Sequence, residues 1–117
     1  MTYIHHRLDI YSIDIYLART TKEWAQLRRK MPDRELGRVP AEKARTTHLH
    51  YDDTIIFWIK SERIDQLNVI ADCAHEATHA AGFLYKAMGQ KQDARQEPFA
   101  YLVGWLTAWL YQHVRDA

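Results

Sequence analysis

The feature that most constrains this chain is an apolar-periodic segment from about residue 67 to 88 with His75-Glu76-Ala77-Thr78-His79 at its middle. Leu67, Ile70, Ala74, Ala77, Ala81, Leu84 and Met88 recur at steps of three and four, the spacing of one face of an α-helix. A helix of that length must bury its stripe, so the rest of the chain has to supply a second layer. His75 and His79 fall beside the stripe, in line with Asn68, Asp72, Gly82 and Lys86. Residues four apart lie on one side of a helix, so both imidazoles can reach the same metal ion. Glu76 is rotated by roughly 100°, an awkward third ligand but within reach of a water activated at that ion. Two neutral nitrogens, a carboxylate base and an open position are what zinc-assisted hydrolysis needs. The bland reading makes both histidines solvated surface residues. The pattern's place inside a strongly periodic helix argues instead for Zn2+.

A third ligand should come from downstream. Asp93-Ala94-Arg95-Gln96-Glu97-Pro98 closes a polar linker and opens a second apolar helix, Phe99 to about Val114. Pro98 suits a first helical turn, where a missing N–H is harmless. Glu97 then projects from a fixed element and would complete a His2Glu set. Its ordinary alternative is an acid favoured by the helix dipole. Asp93 is the competing ligand and also a candidate N-cap; Glu97 is preferred because Tyr101 shares its face four residues on.

With these residues the chain resembles the gluzincin branch of the zincin metallopeptidases, whose third ligand is a Glu on the helix after H-E-x-x-H. Taken with Glu97-Pro98-Phe99-Ala100-Tyr101-Leu102-Val103-Gly104, it more closely resembles small, minimal zincin-like proteins of bacteriophages and prophages. Two positions depart. Gluzincins often carry Asp four residues after the ligand Glu, where this chain has Tyr101. His79-Ala80-Ala81-Gly82 imitates the start of the metzincin pattern, but the position of its third His is Tyr85.

The 117 residues suit one domain, 1–117, with a single core. The net charge of +1 gives no reason to expect a nucleic-acid or anionic-membrane partner. One cysteine, Cys73, excludes an internal disulfide, suits a reducing cytosol and reads as a core residue of the helix. The first residues show no apolar signal-peptide region, and the apolar run 99–111 is too short to span a bilayer. The expected setting is cytoplasmic, in the bacterial host if the phage resemblance holds.

The remaining pattern predicts an α+β fold in the order β-α-β-β-α-α, a small antiparallel or mixed sheet packed on the H-E-x-x-H helix and the C-terminal helix. Residues 8–19 alternate, with Tyr11, Ile13, Ile15 and Leu17 on one face of a strand. Thr20-Thr21-Lys22-Glu23 is a capping box opening a helix with Trp24, Leu27 and Met31 inside, stopped by Pro32. Residues 33–44, with Gly37 and Pro40, predict a loop over the cleft. Residues 45–51 alternate as an edge strand, Asp52-Asp53 turns, and residues 54–60 are apolar on both faces as an inner strand.

The expected function is zinc-dependent peptide hydrolysis. His75, His79 and Glu97 hold the metal, and Glu76 takes a proton from water and delivers it to the leaving amine. Tyr101 donates to the oxyanion or orients a ligand. His48 and His50 read as edge-strand surface residues. The expected partner is a peptide or protein substrate, a host protein among them, docked along the edge strand. The alternative is a zinc-stabilised binding protein that blocks a host protein without catalysis.

Overall fold

The computed structural model describes residues 2–31, 36–49, 54–61, 66–89 and 97–116. Four strands and three helices follow one another as β1 (Ile4–Leu8), β2 (Ile13–Ala18), α1 (Thr21–Lys30), β3 (Ala44–Leu49), β4 (Thr54–Ile59), α2 (Gln66–Ala87) and α3 (Glu97–Arg115). The sheet order is β1-β2-β4-β3, with β2 and β4 parallel and the two outer pairs antiparallel. The fold is α+β on a mixed sheet.

The order departs from expectation at the start of the chain. The single strand predicted over 8–19 is the second half of a hairpin. A short 3-10 turn over Asp9–Tyr11 and Ser12 in the left-handed region (φ 55°) fold the chain back, so β1 pairs antiparallel with β2. The alternation Tyr11, Ile13, Ile15, Leu17 already begins inside this turn, which is why periodicity alone does not reveal it. Ile13, Ile15 and Leu17 nonetheless share one buried face, with Tyr11 packed against it.

The sheet is covered on both sides. Ile15, Leu17, Ile55, Phe57 and Ile59 point to the layer formed by α2 and α3. Tyr16, Ala18, Ile56, Trp58 and Leu49 point to α1, where Trp24, Leu27 and Met31 complete a second core. Every residue of β4 is buried, as its two-sided apolar sequence requires, and β3 is the edge beside it.

Leu36 joins the α1-side core, and the Trp24 Nε1–H donates to the Gly37 carbonyl at 2.9 Å. The Trp58 Nε1–H donates to the Glu42 carbonyl at 2.9 Å. Residues 36–42 of the predicted cleft loop are thus anchored on the face of the sheet opposite α2, because Leu36 and the carbonyls of Gly37 and Glu42 answer that core and two tryptophans there. Pro32, the 33–35 part of that loop, His50, the Asp52-Asp53 turn and Asp93 lie outside the described residues.

Thr20 caps α1, its hydroxyl accepting from the Glu23 N–H at 3.2 Å. The Glu23 carboxylate does not close the predicted box on Thr20. It accepts from the Arg19 N–H at 2.8 Å and pairs with the Arg19 guanidinium, also at 2.8 Å. Both residues are buried, and the guanidinium also donates to the carbonyls of Thr2 and His113. A desolvated cation that would be costly alone is thereby satisfied on every side.

Candidate functional site

α2 carries its site on a flank that the stripe read from sequence leaves open. Its buried residues are Val69, Cys73, Glu76, Ala77, Ala80, Ala81, Leu84 and Tyr85, whereas Leu67 is 80% and Ile70 41% exposed. The buried stripe is therefore rotated from the predicted one, because the sheet and α3 cover two adjacent sides of the helix. Gly89, at φ 71°, takes the left-handed conformation that ends the helix.

His75 and His79 are exposed, as their position off the stripe implies. Their Nε2 atoms lie 3.0 Å apart, within hydrogen-bond distance of each other. Two nitrogens each about 2.0–2.1 Å from a tetrahedral zinc stand roughly 3.3 Å apart, so the pair offers a metal-sized bite with only a small adjustment. One turn of helix separates the residues, and helix geometry puts both rings on the same side.

Glu76 turns the other way, towards β3. It is 6% exposed, and Thr46 Oγ1 on the edge strand donates to its Oε1 at 2.7 Å. Glu76 and His75 line one open groove of about 620 Å³ with Lys43, Ala44, Asn68, Ala71 and Asp72. His79 lines a neighbouring groove with Thr78, Gly82, Phe83 and Lys86. The His48 ring stacks on Phe83, 5.3 Å between centroids, so β3 runs along this flank of α2 from Glu76 to Phe83.

The other predicted site residues lie elsewhere. Glu97 is the first residue of α3 and is exposed. α3 packs on the flank of α2 that carries Gln66 and Tyr85: Tyr85 meets Phe99 at 5.0 Å between centroids, and Tyr111 Oη lies 3.1 Å from Gln66 Oε1. That flank is roughly 150° around the α2 axis from the histidine pair, at 100° per residue. Among the described residues no third His, Cys, Asp or Glu joins the pair in a metal-binding group. Tyr101 is 75% exposed and lines an apolar groove with Leu8, Ile10, Tyr11, Pro98, Leu102 and Trp105. The histidine pair, Glu76 and the β3 edge are thus brought together, and Glu97 and Tyr101 are not brought to them.

Thr46 is the residue of the site that sequence reasoning missed. It is 30 positions from Glu76, and only the packing of β3 on α2 joins the two. Among the described residues no helix is long and apolar enough to cross a membrane. No protein-family model, curated protein or solved structure matches the chain.

Proposed function

We propose that the chain is a zinc-dependent hydrolase of peptide bonds, a minimal gluzincin-like protein of the phage type working in the cytoplasm of a bacterial host. One observation carries the reading: two histidine Nε2 atoms lie 3.0 Å apart on an exposed helix flank, and the Glu76 carboxylate lines the same groove as the first of them, His75. The donor set suits zinc, since neutral imidazoles are favoured ligands for it. His75 and His79 would hold the ion; Glu97, the third ligand that the gluzincin resemblance implies, is not brought to the pair in this structure. A bound zinc supplies Lewis acidity, which activates water near neutral pH and polarises a carbonyl.

The chain's own residues do the rest. Glu76 receives a proton at its carboxylate and passes it to the departing amine nitrogen. The β3 edge offers backbone N–H and carbonyl groups to an extended peptide, which favours a broad grip over sequence selection. Tyr101, the candidate oxyanion donor, lines a different groove in this structure.

The second reading is a zinc-stapled protein that binds and blocks a host protein. It is favoured by the exposed apolar residues Ile10, Tyr101 and Trp105 around one groove. Glu76→Gln separates the two. The variant should fold and keep its zinc, because the carboxylate is not a ligand. In a peptide-library assay its cleavage should fall by about a hundredfold or more, within the range general acid–base catalysis contributes. A zinc-replete Glu76→Gln protein with full biological effect would overturn the hydrolase and leave the binder.

A further inference from the structure

A general base must be held in place as well as supplied. Small displacements of a reacting group cost large factors in rate, and a glutamate side chain turns about three bonds. In this chain the Glu76 carboxylate is fixed. Thr46 Oγ1 lies 2.7 Å from Glu76 Oε1 and 3.1 Å from the Glu76 carbonyl oxygen. A hydroxyl carries one proton, so the shorter contact, to the carboxylate, takes it, and the longer is a minor branch.

Thr46 is itself well anchored. It is β-branched, which restricts its χ1, and it sits in mid-strand opposite Phe57 of the fully buried β4. The bond leaves Glu76 Oε2 without a partner among the described residues, on a side chain that lines the same groove as His75. One oxygen is thus tied to the edge strand, and the other remains for the groove.

We propose that Thr46 is a positioning residue that holds the Glu76 carboxylate against β3 with one oxygen left for proton transfer. Its catalytic consequence rests on the hydrolase reading above. Because Thr46 lies on the strand that a peptide would pair with, the strand that grips substrate also fixes the base. The hold is a property of the fold itself and exists with or without chemistry.

Thr46→Val removes the donor and keeps the shape and strand preference, whereas Thr46→Ser keeps the donor. Crystal structures of the metal-free variants should show the Glu76 side chain leaving β3 in the Val protein and staying in the Ser protein. In kinetics on a cleaved peptide, Thr46→Val should lower kcat by about tenfold or more with KM within about twofold, at unchanged zinc content, and Thr46→Ser should restore most of kcat. The proposal is overturned if Glu76 keeps its position in the Val variant, if Ser and Val lose kcat equally, or if the loss lies in KM alone. If the wild-type protein cleaves no peptide, the hydrolase reading fails. The crystal structures then decide on their own whether Thr46 holds Glu76.

Discussion

His113 shows how a single residue writes a pH dependence into this fold. Its ring packs on Trp109 near the end of α3, 5.2 Å between centroids, while Trp109 and Trp105 stack near His6 of β1. Burial, then the Arg19 cation, hold its imidazole below the ordinary histidine value. His6 adds to this, and Asp116 opposes it. The folded state therefore disfavours the protonated ring, and the unfolded chain binds the proton first as pH falls. Stability from this residue is full above about pH 6.5, declines as pH drops from there towards the lowered folded value, and levels off below it. His113→Gln should flatten that decline, seen as a smaller difference in urea midpoint between about pH 7.5 and 5. An unchanged slope would show that another group is responsible.

At the scale of an element, α2 teaches the most. Its sequence offers two overlapping apolar stripes, one through Leu67 and Ile70 and one through Val69 and Cys73. The sheet and α3 cover the second, so Val69 is 3% and Cys73 0% exposed while Leu67 stands out in solvent. Val69→Ala should cost about 1–3 kcal/mol through lost burial and a residual cavity. Leu67→Ala should stay within about 0.5 kcal/mol. Urea unfolding of both variants checks the pair, and equal losses would restore the stripe that periodicity first suggests. Shared by both stripes are Ala77, Ala81 and Leu84, which is why the helix is legible whichever is chosen. β4 is easier still, because a strand apolar on both faces admits only an inner position.

For the whole molecule, the histidine pair sits on one helix of a small domain whose core is split between two faces of a four-stranded sheet. A ligand that binds only the folded form adds stability by mass action, about 2.7 kcal/mol at a hundredfold excess over Kd. Purified protein should carry about one zinc per chain, and chelation should lower Tm by about 5 °C or more. Elemental analysis free of transition metal, with identical melts in chelator, would remove the metal. Glu97→Ala adds the question of the third ligand, since the exposed start of α3 lies away from the pair in this structure. If Glu97 ligates, zinc affinity falls by about tenfold or more; undiminished affinity would leave a site built on His75 and His79 without it.

What the sequence determined by itself is whatever depends on neighbours along the chain. Helix periodicity places His75 and His79 on one side and Glu76 about 100° away, Thr20 caps α1, and alternation marks β3 as an edge beside β4. These follow from backbone geometry, which repeats locally. Tertiary structure decided which angles of each element are covered, and that depends on partners far along the chain. It folded residues 4–18 into a hairpin, rotated the buried face of α2 and turned Tyr101 to another groove. It drew the Glu23 carboxylate from its cap to Arg19, whose guanidinium also reaches the carbonyl of His113, 94 positions away. It also set Thr46 against Glu76. A hydrogen bond between residues 30 apart has no local signature, because it exists only once an edge strand has packed along a helix.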